Sequence, residues 1–187
     1  AGWICLSWMR LSFMPANGFS VAAKSLVGRY IGAGEPDVAA HRARLSVGVT
    51  MVWMSVCAAS FIIFREPMIG LFVAGDVAPE EAAEIIRIGA GLMFVVAFFQ
   101  TVDALGIVYS GALGGAGDVV WPGVLTVIYA WGPLVLGGWL LAEYVPQWGA
   151  VGPWVAAAVY VAALGITMAW RFERGAWRKI QLVDAPS

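Results

Sequence analysis

Apolar residues run through this chain in five long blocks, and charged residues gather in the gaps between them. The blocks cover Trp3–Tyr30, Leu45–Phe64, Ile85–Leu113, Val119–Ala142 and Ala150–Trp170. Each reaches the roughly 20 residues that a helix rising about 1.5 Å per residue needs to cross a bilayer. The gaps carry chain-breaking chemistry. Gly32-Ala33-Gly34-Glu35-Pro36 closes the first block with glycine and opens the next with proline at a first helical turn. Gly114-Gly115-Ala116-Gly117-Asp118 follows the third block, and Pro146 with Gly149 separates the last two. After the second block come Arg65-Glu66-Pro67, a short apolar stretch to Val73, and Gly75-Asp76. The pattern predicts an all-α integral membrane protein with five transmembrane helices.

Composition agrees with that class. The chain is 61% hydrophobic and 12% charged, with a mean hydropathy of +0.82. Soluble domains carry about 25% charged residues, so half the usual charge is missing. The loop charges then set an orientation. Arg29, Arg42 and Arg44 flank the first connection, with Lys24 just inside the span. The second carries Arg65 and Arg87 against Glu66, Asp76, Glu80, Glu81 and Glu84, and the end of the chain carries Arg171, Arg174, Arg178 and Lys179. Positive charge marks the cytoplasmic side. The connections therefore alternate inside and outside without a break, and they end in a basic cytoplasmic tail over 171–187. Residues 1–170 form the transmembrane part of a multi-pass inner (plasma) membrane protein. The same frame places the amino end outside. There is neither a basic start nor a small-residue cleavage site of a secretory signal, so at least one further span is expected before Ala1.

Asp103 is the candidate that this frame makes hardest to explain as structure. It is the only charged residue from Ile88 to Gly117. A charge deep in a bilayer costs between ~2.5 and ~17 kcal/mol depending on how it is measured, and such residues mark ion or substrate pathways. On a helix wheel, Gln100, Gly106 and Ser110 fall within about 60° of Asp103. A carboxylate, a carboxamide and a hydroxyl on one face can coordinate Na⁺ with oxygens or hold a proton on a desolvated carboxyl. The structural reading is that Asp103 pairs with a buried cation on another helix, and that Gln100 and Ser110 glue helices together.

Arg10, Asn17 and Lys24 recur every seven residues in the first span and form one stripe, with Ser20 on the same side. The stripe must face a bundle interior or a cavity. Arg10, Asn17 and Lys24 are therefore candidates for a substrate pathway, with Lys24 and Arg10 near opposite ends of the span, where long side chains also reach the interface. Pro15 removes a helix hydrogen bond beside Asn17 and predicts a kink. Gly28/Gly32 and Gly111/Gly115 have the small-xxx-small spacing that lets helix backbones approach. Of the tryptophans, Trp53 and Trp131 fall inside spans, where helix packing is the plainer role and stacking on an organic cation the alternative.

Other chemistries are poorly supported. Gly111–Gly117 is not a nucleotide loop, because no strand precedes it and no Lys-Ser/Thr follows. His41 is the only histidine and falls in a connection, and Cys5 and Cys57 show no metal or redox spacing. No enzyme motif is present, and a formal net charge of −1 gives no reason to expect nucleic acid as a partner.

Two stretches carry a resemblance. Met14-Pro15-Ala16-Asn17-Gly18-Phe19-Ser20-Val21-Ala22-Ala23 runs into Leu26-Val27-Gly28-Arg29 and Gly32-Ala33-Gly34. Phe99-Gln100-Thr101-Val102-Asp103-Ala104-Leu105 is followed by Gly111-Ala112-Leu113-Gly114-Gly115-Ala116-Gly117-Asp118 and Pro122. Together they resemble the multidrug and toxic compound extrusion family, antiporters with twelve helices in two lobes. The order and spacing are similar along the whole chain, with Gly114 standing where the family pattern has Arg. The resemblance implies helices eight to twelve, that is, a carboxy-terminal lobe without its first helix. It also implies that Asp103 matches the acid of that lobe's cation site.

The activity so implied is secondary active multidrug efflux. Cationic or amphipathic xenobiotics leave in exchange for Na⁺ or H⁺, with no other cofactor. The expected partners are the lipid bilayer, the transported compounds and an amino-terminal lobe of the same protein. A lipid-linked oligosaccharide flippase of the wider superfamily is the second reading, favoured by the cations Arg10 and Lys24. A non-transporting membrane scaffold, with Asp103 in a structural ion pair, is the third.

Overall fold

A computed structural model describes residues 2–73, 78–149 and 151–180. Ala1, the Gly75-Asp76 pair, Ala150 at the start of the fifth block and residues 181–187 of the tail lie outside the described residues. Every regular element among the described residues is helical. A helix suits lipid because it pairs its backbone groups within the segment and leaves no open strand edge.

The elements are α1 (Gly2–Gly32), α2 (Pro36–Ile63), α3 (Arg65–Gly70), α4 (Pro79–Gly115), α5 (Val120–Tyr129), α6 (Gly137–Tyr144) and α7 (Val151–Glu173). A π-helical segment, Ala130–Leu136, joins α5 to α6 into one rod, and Pro133 sits inside it. Proline has no N–H and crowds the carbonyl four residues back, so widening the turn there relieves the clash. α1, in contrast, is continuous across Pro15.

The helices outlast the apolar blocks. α2 begins nine residues before Leu45 and carries Arg42 and Arg44 in its first turns, and α4 begins six residues before Ile85 and carries Glu80, Glu81 and Glu84. Backbone hydrogen bonds continue where hydropathy stops. The first connection is therefore only a tight turn. Gly34 takes φ 75°, and Glu35 N–H donates to Tyr30 O at 2.8 Å. Among the described residues, four helical runs have both the length and the hydropathy of a membrane span, namely Pro36–Ile63, Pro79–Gly115, Val120–Tyr144 and Val151–Glu173. α1 has the length, at 31 residues. Its polar stripe leaves it below the hydropathy of the other four.

α4 is the central element and packs against α1, α2, α3 and α7, while α7 in turn carries the α5–α6 rod. One apolar cluster fills the end where α1 turns into α2, with Val27, Ala43, Leu113 and Phe172. A second fills the opposite end, with Cys5, Phe61, Ile69 and Met93, and a small group around Ala16, Met54 and Ala104 lies between them. The start of the expected basic tail is part of this packing. Trp177 is 2% exposed and stacks on Phe172 at 5.0 Å between ring centroids, and its indole N–H donates to Phe172 O. Residues 171–180 are therefore docked on the bundle and do not trail from it.

Candidate functional site

Two close helix crossings hold the carboxy-terminal half of α4. Against α1, a Cβ on Gly111 would collide with Ser20, and one on Gly115 would come within 3.0 Å of Lys24 Cα. Gly28 shares this crossing, 3.2 Å from Gly115 O measured from its Cβ position. Gly32 does not, because nothing lies within 4 Å of its Cβ position. Ser20 fastens the crossing by donating its hydroxyl to Ile107 O at 2.7 Å. Against α7, a Cβ on Gly165 would sit 2.9 Å from Val102 O, and one on Gly106 would sit 3.3 Å from Gly165 Cα. α1 and α7 are thus both held near the turn of α4 that carries Asp103.

Asp103 is half-buried, and its Oδ1 leans toward the α4–α7 crossing, 3.9 Å from the Cβ position of Gly106. Tyr160 of α7 lies within electrostatic reach of it. The ion pairs among the described residues are Arg44–Glu173, Arg87–Glu84, Arg171–Asp118 and Arg178–Asp37. None includes Asp103, so the structural reading of a buried cation partner finds no such partner in these residues.

Gln100, one turn earlier, faces α1 and is completely buried. Its Nε2 donates to Ser12 Oγ, and Ser12 Oγ donates to Met9 O at 2.8 Å. The indole of Trp53 on α2 donates to Ser12 O at 2.9 Å. Because the hydroxyl proton of Ser12 is spent on Met9, Ser12 accepts from the amide, and the carboxamide oxygen is turned away. That oxygen, Gln100 Oε1, is buried without a hydrogen-bond partner among the described residues. An orphaned buried acceptor costs about 1–3 kcal/mol, and in native structures it calls for a ligand, water or ion.

Ser110 is not brought to this site. It lies seven residues past Asp103, about 10 Å along the helix axis, so one ion cannot touch both. Ser110 is exposed and instead lines a cleft with Lys24, Gly114, Asp118, Pro122 and Thr126. A helix wheel reports direction around the axis and carries no information about height along it. Arg10, Asn17 and Lys24 are all exposed along α1. The Arg10 guanidinium sits 5.4 Å over the Trp3 ring, and Lys24 lies across Gly114 toward the opposite end, with Cε 3.8 Å from its Cβ position. Trp131 is 70% exposed, so its ring does not pack within this chain.

Several contributors escaped the sequence reading. Ser12 had no signal of its own. Trp53 did, since an indole N–H inside a span needs an acceptor. The network of Glu173 with Arg44 (2.6 Å) and the Tyr109 hydroxyl (2.8 Å) ties α7, α2 and α4 together at the basic end, and sequence gave no means of pairing these distant residues. Among the described residues no group of three His, Cys, Asp or Glu side chains could hold a metal ion.

A bundle of membrane-length helices, packed around a central helix with an unpaired acid and an orphaned amide oxygen at mid-length, defines a multi-pass membrane protein with a polar centre. A sequence model of the MatE family matches residues 1–137. The chain is 33% identical over 170 residues to "Multidrug resistance protein NorM" of Burkholderia vietnamiensis, covering 91% of this chain and 36% of that protein. It is 30% identical over 175 residues to "Probable multidrug resistance protein NorM" of Synechocystis sp., covering 94% and 37%. A similar match, 30% over 173 residues, covers 91% of this chain and 36% of "Multidrug resistance protein MdtK" of Yersinia pseudotuberculosis. The chain belongs to the MatE family, the multidrug and toxic compound extrusion transporters that its motifs resemble. It spans little more than a third of the length of these relatives.

Proposed function

We propose that this chain is the carboxy-terminal lobe of a secondary active multidrug efflux antiporter in the inner membrane. The protein exports cationic or amphipathic compounds in exchange for Na⁺ or H⁺. One observation carries this reading. Inside its apolar run α4 holds a carboxylate without an ion partner and, one turn away, a buried amide oxygen without a hydrogen-bond partner, both among the described residues. Both deficits are of the kind that a bound cation relieves.

In this reading Asp103 takes the coupling ion and Gln100 supplies the neutral oxygen, its amide held in orientation by Ser12. Ser110 stands apart from that coordination shell. Arg10, Asn17 and Lys24 line the substrate pathway, which an amino-terminal lobe closes from the other side. The basic end of the bundle faces the cytoplasm, following the loop-charge rule. Relatives with multidrug resistance names support the substrate class.

Proteoliposomes containing the complete protein test the coupling. An imposed Na⁺ gradient or proton gradient should drive movement of a fluorescent organic cation against its own gradient, and neither doing so would overturn the proposal. The exposed pair of cations Arg10 and Lys24 keeps the flippase reading as a second possibility. Deletion would then cause a lipid-linked intermediate to accumulate while drug sensitivity stays unchanged.

A further inference from the structure

Gly165 of α7 is buried and seated against a single turn of α4. The nearest atoms to its Cβ position all belong to that turn, with Val102 O at 2.9 Å, Gly106 N at 3.3 Å and Leu105 Cβ at 3.7 Å. Asp103 lies inside the same turn, Val102–Gly106. Gly106 is also buried, and its Cβ position lies 3.3 Å from Gly165 Cα, 3.6 Å from Gly165 N and 3.9 Å from Asp103 Oδ1. The carboxylate and the backbone of α7 therefore converge on one spot, left empty because residue 106 has no side chain.

This contact acts on Asp103 in two ways. Backbone meeting backbone leaves no width for water between the two helices, so the carboxylate is stripped of hydration on its α7 side. A less hydrated carboxylate attracts a cation more strongly, because screening and competition from water both fall. The contact also fixes a place. An aspartate has one methylene, so Oδ1 stays with the turn that Gly165 holds. Groups that bind an ion must be kept within about 0.5 Å of their working geometry. A methyl at position 106 would meet the α7 backbone at 3.3 Å, a distance at which the neighbour has to give way.

We propose that Gly106 and Gly165 are positioning residues for Asp103. Their crossing, free of side chains, sets the place of the ion-binding carboxylate and keeps water from its α7 side. The inference rests on Asp103 taking the coupling ion, and it holds for either ion. It makes α7 part of the ion site although no α7 side chain need touch the ion.

The complete protein in proteoliposomes tests this through the ion dependence of efflux of a fluorescent organic cation, measured with whichever gradient, Na⁺ or H⁺, drives the parent. Gly106→Ala should raise the ion concentration for half-maximal efflux by at least about tenfold, the loss usual when the support behind an ion ligand is removed. The rate at saturating ion should stay close to the parent's. Asp103→Glu keeps the charge and both glycines, and should cost as much, because its longer side chain carries the carboxylate off the crossing. Where Gly106→Ala lowers expression, Asp103→Glu decides. Gly28→Ala is the packing control, since its methyl meets Gly115 O at 3.2 Å in the α1–α4 crossing, and it should keep the parent's half-saturation. Unchanged half-saturation in Gly106→Ala or in Asp103→Glu, or an equal rise in Gly28→Ala, would overturn this inference alone. A parent that neither gradient drives would overturn the coupling reading on which it rests.

Discussion

Gln100 on α4 and Ser12 on α1 are joined by a side-chain hydrogen bond in which the amide donates and the hydroxyl accepts. This polarity follows from Ser12 donating its own proton to Met9 O. The same bond leaves Gln100 Oε1 orphaned in a fully buried position. The two substitutions that break the bond should therefore differ. Ser12→Ala strands a second buried polar group and should lower stability by about 1–3 kcal/mol. Gln100→Leu removes donor and orphan together and should be close to neutral. Thermal unfolding of the complete protein in detergent separates them, and equal destabilisation by both would mean that the orphan is absent.

The helix crossings give a sharper contrast among glycines. Gly165→Ala drives a methyl to 2.9 Å from Val102 O, and Gly115→Ala drives one into the Lys24 carbonyl oxygen, closer still. Backbone on the far side cannot yield as a side chain does, so each should cost about 1–3 kcal/mol as overpacking. Gly32→Ala meets nothing within 4 Å and should fall within about 0.5 kcal/mol of the parent. Melting temperatures of the three variants settle the order.

At the basic end, two of the three long-range ion pairs should not weigh the same. Asp118 is nearly buried, so Arg171→Ala leaves a desolvated carboxylate and should cost about 3 kcal/mol. The double variant with Asp118→Asn should recover a good part of that loss. Arg44 and Glu173 are 56% and 39% exposed, and Arg44→Ala should cost no more than about 1 kcal/mol. Denaturant or thermal curves of the single and double variants check the ranking.

The helices were legible in the sequence because a bilayer makes length and apolarity nearly sufficient to specify them. Their ends were not. The runs through Arg42 and Arg44 and through Glu80 to Glu84 stay helical outside the apolar blocks, since backbone pairing is indifferent to side-chain polarity. Asp103 and Gln100 stood out for the same reason as the helices: a polar group in lipid has to be explained. Ser110 was grouped with them on direction alone, and the rise of the helix separates it. Gly28, Gly111 and Gly115 announced a crossing through their spacing, and Gly32 shared the spacing without the contact. The Gly106–Gly165 crossing joins residues on two helices, which no single-helix pattern can report. Ser12 was invisible until α1 and α4 were docked.

The central claim is that Asp103 is the ion-binding acid of a transport cycle and not a structural charge. Asp103→Asn in the complete protein, assayed for efflux of a fluorescent organic cation from cells with expression measured in parallel, tests it most directly. The account predicts normal expression and melting temperature with efflux reduced to the level of cells lacking the protein. Full efflux in Asp103→Asn at normal expression would contradict it.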